Sequence, residues 1–187
     1  MNYSPKYFFL IFISILLLLF FVELLSITQQ MIIIPWTEFL ASISSGMVSF
    51  FDSNAIAHGI ILQDSKSGFA VSIQPGCNGI EAAIVLIAAI TAYPSTLLQK
   101  IGGIIIGFLA IQALNVIRII SLFYLGQWNI TLFEWAHLYI WQALIMLDVF
   151  IVFILWVKYM QAKKAKQSAN HEITAENKQN ASQETKD

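Results

Sequence analysis

The sequence predicts an all-α integral membrane protein with about four transmembrane helices, an interfacial amphipathic helix and a small β-hairpin outside the bilayer. Three features lead to that class. Hydrophobic residues make up 58% of the 187 and charged residues only 11%, where a soluble domain carries about 25% charged residues. Four apolar runs approach or exceed the roughly 20 residues that cross a hydrocarbon core of about 30 Å. Lysines gather beyond the same ends of those runs, as they do on the cytoplasmic side of membrane proteins. The formal net charge of −1 offers no basic surface to a nucleic-acid partner. A single cysteine excludes an intrachain disulfide and gives no framework for inferring an oxidising compartment.

Residues 7–26, YFFLIFISILLLLFFVELLS, form the first run. It is longer than the apolar part of a removable leader and lacks a small-residue cleavage site, so a retained span is expected. Residues 35–51 place Trp36, Phe39, Leu40, Ile43, Met47 and Phe50 on one helical face. That pattern predicts a helix lying at the interface, with a crossing as the weaker reading. In 68–74, Phe69, Val71 and Ile73 alternate with small and polar residues. With 55–63 as its partner and the turn-rich DSKSG between them, a hairpin is expected, outside the hydrocarbon because open sheet edges are not tolerated in lipid. Spans follow at 79–95, 101–125 and 135–158. From 161 to 187 the chain has no aromatic residue and few large aliphatics, which predicts a disordered cytoplasmic tail after a membrane domain of residues 1–160.

Lys158, Lys163, Lys164 and Lys166 follow the last span, Lys100 links the second and third, and Lys6 precedes the first. Four spans put all of these on one side. Segment 27–76 and the 126–134 link then lie on the other. Cys77 falls at the outer end of the second span and His137 in the first turn of the fourth. Arg118 lies about 10 Å below the outer end of the third. Topology thus brings three chemically capable residues to similar depth.

Each has a bland reading as well. Cys77 is either small filler or a reactive thiol. Asn78 and Glu81 resemble a capping box, which would set Cys77 beside helix N–H groups that favour a thiolate. Arg118 could snorkel to headgroups or pair with Glu81. Asn115 and Gln112 on its helix instead suggest a polar stripe facing the bundle. His137, between Trp135 and Tyr139, suits an aromatic belt or a general acid and base. Asp148 needs a partner at depth, and Gln112 is the structural candidate. His58 and His171 receive no role. Nothing in the spacing of one cysteine and scattered histidines implies a metal.

Three motifs in order, PGCNGIEA at 75–82, NVIRIISLFYLG at 115–126 and EWAHLYIWQ at 134–142, resemble the exosortase/archaeosortase family, closest to the exosortase H type. The resemblance covers roughly residues 20–158. It implies a membrane cysteine protease and transpeptidase with a catalytic set of Cys77, Arg118 and His137, supported by Asn78, Glu81 and Asn115, and no cofactor. It implies substrate proteins that carry a C-terminal motif, a transmembrane helix and a basic cluster. It places the enzyme in a bacterial inner membrane with its site at the periplasmic face, among membrane lipids. The related archaeal enzymes suggest a lipid-linked acceptor.

Overall fold

The computed structural model describes residues 5–184. The chain order is α1 (Pro5–Glu23), α2 (Ser26–Thr28), a π turn (Gln29–Ile33), α3 (Ile34–Ser49), β1 (Ala55–His58), β2 (Ile61–Asp64), β3 (Ala70–Ser72), α4 (Ile80–Ala92), α5 (Leu97–Trp128), α6 (Ile130–Trp135), a second π turn (Ala136–Ile140) and α7 (Trp141–Glu184). Four stretches are long and apolar enough to cross a membrane: Lys6–Glu23, Ser26–Ser49, Leu97–Trp128 and Ile130–Gln167. The class expected from the sequence is present, with a different division of the spans.

The helix expected at 35–51 begins nine residues earlier, as the continuous rod Ser26–Ser49. Pro35 has no N–H, and its ring crowds the carbonyl one turn back. The turn before it is widened to a π turn, in which the Ile34 N–H reaches Gln29 O. Trp36 packs on Phe108 with ring centroids 5.3 Å apart. Leu40, Ala41 and Val48 share a core with Val116, Ile119 and Phe123 of α5 and with Ala55, Leu62 and Ile73. The rod therefore follows α5 from Phe108 to Phe123, about 22 Å of a helix about 48 Å long.

α4 is shorter than the expected span. Its 13 residues reach about 20 Å. Gly79, with φ 73°, starts it, and Tyr93, held extended before Pro94, ends it. Lys100 Nζ donates to Thr91 O at that end. Two glycines let neighbours close on α5: Gly103 lies under Trp156, and Gly107 under Leu86 and Val152.

The sheet has three antiparallel strands in the order β1-β2-β3, one more than the expected hairpin. His58 pairs with Ile61, which leaves a two-residue loop with Gly59 first, at φ 57°. That position in a type II′ turn favours glycine and splits 55–63 into two strands. The Asp64 carboxylate closes the next turn, accepting from Lys66 N at 2.9 Å and Ser67 Oγ at 2.6 Å. These two bonds hold its pKa below the ordinary carboxylate value.

α7 continues as helix to Glu184, where the sequence suggests disorder. No glycine or proline interrupts the chain after Gly126, and the tail is rich in Ala, Lys, Gln and Glu, all good helix formers. Residues 185–187 lie outside the described residues, as do the side chains of Lys164 and His171.

Candidate active site

Cys77 is the last residue of a tight turn. Its N–H donates to Gln74 O at 2.9 Å. Pro75 holds the second position and Gly76, at φ 85°, the third, as a type II turn requires. Asn78 then accepts the Ile80 N–H on Oδ1 at 3.1 Å. Glu81 reaches back past Asn78 to accept the Gly76 N–H. The capping box expected at Asn78 and Glu81 is therefore replaced: Gly79 is the cap, with no side-chain capping bond, and the carboxylate braces the turn that carries Cys77.

Asn78 is fully buried. Its Nδ2 donates to Thr37 Oγ1 at 3.2 Å, and Thr37 donates in turn to Ile33 O at the π turn. Trp36 Nε1 donates to Asn78 O at 3.4 Å. The first π turn and α3 thus fix the cysteine-bearing turn from the side. Neither Trp36 nor Thr37 is singled out by the sequence; Trp36 appears there only as one of an apolar face.

Arg118 is 2% exposed, which excludes snorkelling. Its Nη2 donates to Cys77 Sγ at 3.4 Å and its Nη1 to Gly76 O at 3.4 Å. Arg118 and Glu81 thus hold opposite sides of the same residue, Gly76, in place of the direct pairing considered from sequence.

His137 sits in the second π turn, where the helix is wound wide, a local feature common at functional sites. Its Nε2 lies 3.8 Å from Cys77 Sγ. Phe133 lies parallel to its ring, 5.8 Å away with 1° between planes. Arg118 and His137, expected at the depth of Cys77, both reach its sulfur. Asn115, 2% exposed, lies one turn from Arg118 on the same face of α5. Gln112 abuts Gly79 and makes no hydrogen bond, so the expected Asp148–Gln112 pair is not formed. Asp148 is half-buried on α7, and His58 is exposed on β1.

Burial pushes the Cys77 thiol above its ordinary pKa. The Arg118 cation pulls it down and the Glu81 charge pushes it up, both less strongly. The helix-dipole argument for a standing thiolate does not hold here. Cys77 precedes the helix by three residues, and its own N–H is spent in the turn.

An apolar groove of about 450 Å³ runs between α1, α4 and α7. Phe8, Phe12, Val85 and Phe150 are among its walls, together with Gly76, Gly79, Glu81 and Gln142. It therefore runs beside the Cys77 turn. Among the described residues, no group of three His, Cys, Asp or Glu side chains is placed to hold a metal ion.

No curated protein and no solved structure matches the chain. The family described as Transmembrane exosortase (Exosortase_EpsH) matches residues 1–164. That match takes in the Cys77 turn, the whole of α5 and the π turn of His137, and the chain belongs to the transmembrane exosortase family.

Proposed function

We propose that the protein is a membrane-embedded cysteine peptidase and transpeptidase that cleaves the C-terminal sorting signal of exported proteins and passes the acyl group to an acceptor. The observation that carries this reading is the meeting of Arg118 and His137 at one sulfur, from positions 41 and 60 residues away in sequence. A filler cysteine needs neither.

Cys77 gives its proton to His137 Nε2, and Sγ attacks the scissile carbonyl carbon. Arg118 meets the negative charge that develops first on sulfur and then on the carbonyl oxygen. The imidazolium returns its proton to the leaving amine, the C–N bond breaks, and a thioester to Cys77 remains. The acceptor loses its proton to His137 and attacks the thioester; the C–S bond breaks, and the imidazolium returns that proton to the sulfur, which regenerates the thiol. A lipid-linked acceptor suits a site flanked by an apolar groove between α1, α4 and α7. The substrate helix approaches laterally, along the groove between α1, α4 and α7. The 35–74 segment caps the site and reads the recognition motif. The site lies at the periplasmic face of a bacterial inner membrane, with Lys100 and the lysines after α7 at the opposite face.

The test is substrate processing in cells, followed by mass spectrometry of the trapped intermediate. Cys77→Ala should abolish cleavage of the sorting-signal protein, and a thioester-linked substrate fragment should be recovered on Cys77. Normal processing in the variant would instead favour a non-enzymatic subunit of a sorting complex.

A further inference from the structure

An imidazole that serves as a base is commonly oriented by a third group. Among the described residues, nothing pairs with His137 on its far nitrogen: Nδ1 is buried and makes no hydrogen bond. For Nε2 to take the thiol proton, the neutral ring must carry its own proton on Nδ1. In a triad an acceptor at that atom fixes both tautomer and ring plane. The torsion that swings an imidazole is broad. Something other than a hydrogen bond at Nδ1 must therefore keep Nε2 on the sulfur 3.8 Å away.

Phe133 is placed to do this. It precedes His137 by four residues, and side chains four apart meet on a helix. That spacing brings two rings together without aligning them. Here they are aligned: the planes differ by 1° and the centroids stand 5.8 Å apart, an offset stack. Phe69 meets the Phe133 ring edge-on, at 6.5 Å and 82°. Phe69 belongs to the β2–β3 turn and also packs at 6.2 Å on Phe123, which is fully buried in α5. Phe133 therefore joins the sheet to the imidazole. We propose that Phe133 is the positioning residue of His137, and that Phe69 sets Phe133, so that the sheet aligns the base with Cys77. Aromatic packing then does what a hydrogen-bond acceptor does in a triad. It restricts the ring plane and leaves the proton inventory of the reaction unchanged. This assignment rests on His137 being the base for Cys77.

The test uses the full-length protein in lipid nanodiscs and alkylation of Cys77 by iodoacetamide at neutral pH. An S–C bond forms, the C–I bond breaks, iodide leaves and the thiol proton passes to His137. Phe133→Leu should slow this step about three- to tenfold, whereas Phe133→Tyr keeps the ring and should keep the rate. Phe69→Leu should slow it in the same direction, and joining it to Phe133→Leu should add nothing further. In a His137→Gln background, Phe133→Leu should change the rate by less than about twofold, which a role in packing alone would not produce. An equal loss with and without His137 would overturn the proposal in favour of a general effect on the Cys77 turn. An unchanged rate in Phe133→Leu, or a loss in Phe133→Tyr as large as in Phe133→Leu, would overturn it as well. Fully additive losses from Phe69→Leu would separate the sheet from the base and overturn the linkage. If His137→Gln alone leaves the rate unchanged, the base reading of His137 falls and this one falls with it.

Discussion

Cys77 rests as a thiol because burial disfavours its anion more than Arg118 favours it. Alkylation by iodoacetamide needs the thiolate. Its rate should therefore climb with pH, with a midpoint above the ordinary thiol range. Arg118→Gln removes the cation at the sulfur and should move that midpoint up. Glu81→Gln removes the opposing charge while keeping an oxygen for the Gly76 N–H, and should move it down. The reverse order would separate Arg118 from the sulfur. At this scale the sequence reads well where a residue is chemically out of place, as with a lone cysteine at a helix entry or an arginine inside an apolar run. It is silent on Trp36 and Thr37, whose bonds to Asn78 join positions 42 and 41 residues apart. Nothing local to Thr37 distinguishes it from the other hydroxyls of its helix. The unpaired amide of Gln112 was likewise hidden, since its intended partner Asp148 lies on another helix and only packing decides whether they meet.

The helices and strands hold the site by close approach at a few glycines. Phe69 of the β2–β3 turn packs its ring against Gly126 near the end of α5, and a Cβ there would collide with the ring. Phe123 and Phe133 flank the same ring at 6.2 and 6.5 Å. Gly126→Ala should loosen the sheet from α5 at a cost of about 1–3 kcal/mol, typical of overpacking. Gly102→Ala meets nothing within 4 Å and should be neutral or stabilising by up to about 1 kcal/mol, since alanine favours the helix. Thermal unfolding separates the two, and hydrogen exchange should show faster exchange in β2 and β3 for Gly126→Ala only. Equal stability of the two variants would remove Phe69 as the anchor of the sheet. Element type was legible from apolar periodicity, and DSKSG marked one strand turn, whereas the turn at Gly59 that splits 55–63 into two strands was not read. Element ends were not. The π turn at Gln29–Ile33 has a visible cause in Pro35, whereas the one at Ala136–Ile140 follows no glycine or proline. α4 is shorter than its apolar run because Gly79 and Pro94 end it from both sides.

Across the whole molecule, the lengths of α4 and α5 fix the depth of the site. From Lys100 to Arg118, α5 rises about 27 Å, close to one hydrocarbon thickness. The sheet stands beyond that level, packed on the last turns of α5 and on α3. α4 can be short because α1, α5 and α7 surround it, so its entry turn need not reach the headgroups. On the proposed topology Cys77 lies just inside the outer interface, beside the groove, and packs against the cluster that holds Ala55, Leu62 and Ile73. This arrangement requires the sheet and the lysines after α7 to lie on opposite sides of the membrane. Two exposed positions report on it: Ser67 in the β2–β3 turn and Lys166 beyond the apolar part of α7. In a Cys77→Ala background, Ser67→Cys should react with a membrane-impermeant maleimide added outside intact inner-membrane spheroplasts. Lys166→Cys should react only after the membrane is opened. The inverted result would put Cys77 on the cytoplasmic side and end the periplasmic reading. Labelling of both cysteines in sealed cells would mean that α4, α5 and α7 do not all cross, and the depth argument for Arg118 would go with them.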